Sequence, residues 1–209
     1  MRIKINLLVA AAFCFVFSSF TNENVLLSYK TNFDNELKDW TATFKNFNLE
    51  KFEIASTVKL HDASALNTSD SGFVNYIGLL KPVLYFSDNK QRFVDIYGYE
   101  LNMEKKDDKI ASDNSGEQQI ILYDLQKKSE RKILFCGISS QIQDVVWQSD
   151  AKLILVGRNV ETKKIVRPLI YLVDLAKQQI TLYRTKDKDC IETSAYTSSK
   201  LKNLHYSED

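Results

Sequence analysis

The chain is poor in the residues that usually punctuate a fold or assemble a catalytic centre. Its 209 residues include two prolines, six glycines, three cysteines and two histidines. The glycines are scattered singly, which excludes a glycine-rich phosphate loop. With so few prolines, the turns must be made by Asn, Asp, Ser and the occasional Gly. No cysteine has a second ligand at zinc-binding spacing, so no metal or cofactor is expected. After the first stretch, no apolar run approaches the roughly 18 residues that span a bilayer. An excess of one charge is missing too, since 28 basic residues face 27 acidic ones. The densest basic patch, Lys127, Lys128, Arg131 and Lys132, is interrupted by Glu130. Such a chain projects no long-range field, and nucleic acid is not expected as a partner.

The N-terminus has the three parts of a secretory leader. Arg2 and Lys4 open it, residues 7–17 (LLVAAAFCFVF) are uninterruptedly apolar, and Ser18, Ser19 and Thr21 follow. Small residues one and three positions before the cut place cleavage before Asn22, giving a leader over 1–21 and a single β-rich domain over 22–209. Cys14 is preceded by the bulky Phe13 and lies inside the apolar run, which excludes a lipid anchor. Loss of Arg2 and Lys4 takes the 28 bases to 26, against an unchanged 27 acids. The expected location is the periplasm or the medium, with no membrane span after processing. In that oxidising compartment the two remaining cysteines, Cys136 and Cys190, are expected to form a disulfide, stapling a polar tail (187–209) to the sheet.

The rest reads as mainly antiparallel all-β. One helix is expected after the leader, because Leu37, Trp40, Phe44 and Phe47 recur at helical spacing behind Asp34 and Asn35 as caps. From Phe52 onward the pattern is of strands. Residues 93–103 alternate, 153–156 (LILV) form a fully buried strand, and 120–125, 133–135, 169–173 and 180–183 complete the set. Within it lies an internal repeat. Leu122-Tyr123-Asp124-Leu125 returns as Leu172-Val173-Asp174-Leu175, each copy ending a strand before a lysine-containing turn. Upstream, Phe86-Ser87-Asp88-Asn89-Lys90 matches Trp147-Gln148-Ser149-Asp150-Ala151-Lys152. The units run over 83–135 and 144–183.

This order resembles the β-propeller repeat of the Tol-type (WD-like) exported bacterial proteins, in which an aromatic-Ser-Pro-Asp-Gly-Lys turn joins two strands of a blade. The likeness covers residues 85–183. It lacks the proline, and Asn89 and Ala151 stand where the family has glycine. The resemblance implies blade-like sheets and a scaffold for partners in the envelope, not a chemistry. An open or sandwiched pair of twisted sheets is the alternative architecture.

No catalytic residues assemble. His61 and Asp62 are adjacent, so on a strand their side chains diverge. A serine nucleophile would have to be guessed among Ser64, Ser69 and Ser71, and His205 belongs to the tail. The acidic loop with Asp107, Asp108, Asp113 and Glu117 fails as a calcium site, because counting back from Gly116 reaches Ala111 at a ligand position. Asp124 and Asp174 are expected to fix hairpins. Asp95 shares its face with Phe93, Tyr97 and Tyr99, where a charge must be paired or hydrogen-bonded. Backbone amides or a nearby Arg or Lys would satisfy it as part of the fold; the functional alternative makes Asp95, Tyr97 and Tyr99 the candidate ligand groove. The reading is an exported, non-enzymatic module binding a protein or carbohydrate in the envelope; the alternative is a hydrolase of envelope or extracellular polymers.

Overall fold

The computed structural model describes residues 24–97, 105–106, 109–110 and 116–202. The leader, Tyr99, Asp107, Asp108, Asp113 and His205 lie outside them. The described residues include the short α-helices α1 (Lys30–Asp34), α2 (Lys38–Thr41), α3 (Ser71–Leu80) and α4 (Ser199–Lys202). The strands are β1 (Phe52–Lys59), β2 (Ser64–Ala65), β3 (Tyr85–Phe86), β4 (Arg92–Asp95), β5 (Lys105–Lys106), β6 (Lys109–Ile110), β7 (Gln118–Asp124), β8 (Ser129–Cys136), β9 (Ser140–Ser149), β10 (Lys152–Thr162), β11 (Ile165–Asp174) and β12 (Gln179–Thr185). They form two antiparallel five-stranded sheets, ordered β2-β8-β7-β4-β3 and β1-β12-β11-β10-β9, and the separate hairpin β5-β6. The fold is mainly antiparallel β, and the described strands form no closed barrel. No described helix is long and apolar enough to cross a membrane.

Strand alternation explains the layering. On β10, Leu153 and Leu155 pack into a core shared by both sheets, while Ile154 and Val156 pack against the N-terminal segment. Burial on both faces is why LILV reads as a continuous apolar run. The shared core takes Val94, Ile120 and Leu122 from the first sheet and Val145, Val173 and Ile180 from the second. The outer face of the second sheet is covered by Leu26, Phe33, Leu37, Trp40 and Phe44.

That cover corrects the expected single helix. The segment breaks into α1 and α2, and Asn35 caps the C-terminus of α1 rather than starting a helix. The break lets the fully buried Trp40 set its ring edge-on to Phe44 and Phe47, with the indole donating to Gln143 Oε1 at 3.0 Å. A second correction is α3, which lies where strands were expected. Asp70 caps it, accepting from the Phe73 amide at 3.1 Å. Phe73, Tyr76, Ile77 and Leu80 then point one way, onto the outer face of the first sheet. The strand expected over 93–103 ends at Asp95, and residues 98–104 are outside the described set.

The hairpins β7-β8 and β11-β12 are built alike. Asp124 ends β7 and accepts from the Lys127 amide at 2.8 Å; Asp174 ends β11 and accepts from the Lys177 amide at 2.9 Å. Lys128 and Gln178 follow at φ 49 and 54, and the Leu125 and Leu175 amides donate to the Gln91 and Ala151 carbonyls. Both aspartates fix their turns, and Asp124 also holds Arg92 at 2.7 Å.

Cys136 and Cys190 are not bridged. Cys136 belongs to the core between the sheets and Cys190 to the cluster on the far face of the second sheet, so a sheet separates them. The tail is held instead by hydrogen bonds. Glu192 bridges Phe44, and Thr193 donates to the Thr43 carbonyl.

The two sheets meet at β9, which touches β3 and β8. There, side chains replace strand pairing. Gln118, 2% exposed, accepts from the Ile142 amide at 2.7 Å and donates to the Ile142 and Ile96 carbonyls at 2.9 and 2.8 Å. Trp147 donates to the Tyr85 carbonyl at 2.9 Å, and Arg92 to the Asp150 carbonyl at 2.8 Å. Beside this seam β9 passes close to β10, where a Cβ on Gly157 would lie 2.0 Å from the Gln141 oxygen. Gln118→Ala is expected to destabilise the protein by about 3 kcal/mol, because it strands buried backbone groups. Urea denaturation measures this, and a loss below about 1 kcal/mol would contradict the seam's role.

Candidate functional site

Asp95 and Tyr97 do not line an open groove. Asp95 is 1% exposed, at the end of β4, and its carboxylate accepts from the Tyr76 hydroxyl of α3 and from the Tyr97 amide at 2.8 Å. Tyr97 is 4% exposed, with its hydroxyl 2.9 Å from Ser198 Oγ and 3.4 Å from the Tyr85 hydroxyl. The chain thus fills its own expected site, with α3 on one side and the tail on the other. Burial, then the neighbouring Asp95 charge, pushes the Tyr76 phenol far up, so it stays a donor.

A second buried acid sits nearby. Asp144 on β9 accepts from the Tyr196 hydroxyl and from the Val145 amide at 2.8 Å. Lys200 lies 5.5 Å above the Tyr85 ring, closing the same corner. Burial raises the Asp144 pKa, and the Tyr196 hydroxyl, the Val145 amide, Tyr85 and Lys200 pull the other way without reversing it. Sequence reasoning missed Asp144, although its setting in QIQDVVW carries the signal that marked Asp95. Both acids are engaged by tyrosine hydroxyls and backbone amides, and this network binds the tail.

The remaining candidates do not assemble. His61 and Asp62 are exposed in the link between β1 and β2, Ser64 is exposed on β2, and Ser69 and Ser71 are exposed at the start of α3. Of Asp107, Asp108, Asp113, Gly116 and Glu117, only Gly116, at φ 72, and Glu117 are described. Among the described residues, no three His, Cys, Asp or Glu side chains could hold a metal ion together. Cys190 is an inert thiol, pushed up to about 11 by burial and then by Asp187.

Clefts open between the sheets, and two of them offer a distinct chemistry. One, of about 300 Å³, lies between β8 and the outer strands β1 and β12, lined by Val58, His61, Leu134, Phe135, Tyr171 and Leu182. Its rim leaves Val58 55% and Phe135 48% exposed. Burial pushes the Tyr171 phenol up to about 12, so it offers a hydroxyl rather than a base. This groove can bury apolar groups; among the described residues that line it none is an acid, and Lys132 is its cation. The other, of about 260 Å³, is charged and contains Arg92, Asp124, Lys127 and Arg131.

The raised Asp144 pKa gives a signed pH dependence. Between its ordinary value of 3.8 and the raised folded value, the folded protein keeps a proton that the unfolded chain has lost. Stability from this group therefore falls as pH rises from 3.8 through the folded value, then levels. Urea denaturation of wild type and Asp144→Asn across that range should show the wild type's advantage shrinking with pH. An advantage that grows with pH would contradict the assignment.

No family model matches the chain, and neither a curated protein nor a solved structure matches it.

Proposed function

We propose that the protein is an exported, non-enzymatic binding or interaction module of the cell envelope, and that its partner is a protein docking apolar side chains into the groove between β8 and β1-β12. The observation that carries this reading is the groove itself, a mainly apolar opening with exposed Val58 and Phe135 and no carboxylate among the described residues that line it. Its walls are mainly aliphatic, from Val58, Ile133, Leu134, Ile180 and Leu182. Protein side chains fit such walls better than sugar rings, which favour a row of exposed aromatic faces. The leader pattern of 1–21 supports export. The matched hairpins support reading the two meanders as copies of one blade-like unit, as in the Tol-type repeats that the sequence resembles. A hydrolase would need converging perturbed carboxylates, whereas Asp124 and Asp144 are each held by partners of the fold.

The test expresses the whole chain, leader included, in a secreting bacterium, with a photo-crosslinking side chain at Val58 and, separately, at the exposed Lys30. The expected product is periplasmic, starts near Asn22, and forms a discrete protein adduct from position 58 alone. Phe135→Glu should remove that adduct while leaving the fold intact. A polysaccharide adduct would replace the protein partner with a carbohydrate. Turnover of peptidoglycan, ester or peptide substrates by the purified protein would overturn the binding reading.

A further inference from the structure

The charged cleft of about 260 Å³ lies where both sheets contribute walls. Cross-strand register sets Arg92, Asp124 and Ser129 in one row over β4, β7 and β8, with Leu122 beside Arg131 two positions along. The opposite wall comes from the second sheet, through Ala151, Leu175, Ala176 and Gln178.

The two guanidinium groups are in different states. Arg92 is committed to the fold, its Nε donating to Asp124 at 2.7 Å and its Nη1 to the Asp150 carbonyl at 2.8 Å. Burial alone would raise the Asp124 pKa, but the Lys127 amide and Arg92 hold it below its ordinary value, so this acid is fully used. Arg131 instead donates its Nη1 to Gln178 Oε1, a neutral acceptor reaching across from the second sheet. Among the described residues, neither Arg131 nor Lys127 forms an ion pair. Glu130 does not compensate, because it stands opposite Tyr123 on the other face of the first sheet. The cleft therefore holds three cations and one acid, and Gln178 fixes one guanidinium with donors to spare.

We propose that this cleft binds a carboxylate carried on a short aliphatic stem. Its two oxygens would fork onto Arg131, with Lys127 as the second cation. The stem would lie along Leu122, Ala151, Leu175 and Ala176, a wall that a bare inorganic anion would leave unused. Two sources carry that chemistry, a free short-chain acid and the C-terminus of a peptide. The proposal is independent of the apolar groove, which lies in a different lining.

Calorimetric titration of the full protein tests it, using hexanoate, a tripeptide ending in leucine, the same tripeptide amidated, and inorganic phosphate. Saturable binding of hexanoate, of the free-acid peptide or of both is expected, and the responding ligand identifies the source. The amide should not bind. Arg131→Gln should weaken binding by at least about tenfold, because it removes the charge and the forked pair of hydrogen bonds. Lys127→Ala should weaken it by about threefold as an exposed charge contact. The latter variant keeps the Lys127 amide that Asp124 uses, so it folds whatever Arg131→Gln does. Binding unchanged by Lys127→Ala would overturn the site. Phosphate binding without carboxylate binding would overturn the ligand class, and absence of binding by all four would overturn both.

Discussion

The structure depends on what the Gln118 amide does at the inner edge of the second sheet. β9 is an edge strand, and its Ile142 N–H and C=O would be buried against the first sheet without strand partners. The amide of Gln118 supplies both, and also satisfies the Ile96 carbonyl. A buried backbone group left unpaired is costly, so this one side chain decides whether the two edges can meet at all. Trp147 and Arg92 repeat the device further along the seam, each with a side-chain donor on a backbone carbonyl. The sheets then share one apolar core.

Joined at β9, the sheets are covered on their outer faces, one by the N-terminal aromatic cluster and the other by α3. The tail closes the remaining corner through Tyr196 on Asp144 and Ser198 on Tyr97. The buried polar groups Asp95, Tyr97 and Asp144 tie down these covers. Openings survive where the covers stop. Between β8 and the outer strands the lining is apolar, and near the hairpin turns it is cationic. The first suits docking of a protein surface and the second recognition of a carboxylate.

What could be read from the sequence followed the strength of local pattern. LILV announced a strand buried on two faces, and the paired Asp-Leu motifs located two hairpins with the same hydrogen bonds. Asp95 was legible as a carboxylate needing a partner, but its partner was not, because Tyr76 lies on α3. That helix was hidden by Gly72 and Gly78 and by the Ser-Asp run before it, although Phe73, Tyr76, Ile77 and Leu80 have helical spacing. The N-terminal segment misled in the opposite direction: its spacing is helical, but fitting Trp40 against Gln143 divides it in two. The cysteine pairing rested on compartment and count, neither of which knows that a sheet lies between the thiols. Both clefts arise from the approach of residues distant in sequence, such as Arg131 and Gln178, for which no local pattern exists.

Native-state hydrogen exchange tests the central claim, that the seam fuses both sheets into one cooperative unit. The decisive site is the amide of Ile142, which lies on an edge strand and donates to a side chain. Its exchange should require global unfolding, with the same free energy and denaturant dependence as the amides of Leu122 in the first sheet and Leu155 in the second. Exchange of Ile142 through a cheaper local opening, or different opening energies for Leu122 and Leu155, would contradict it.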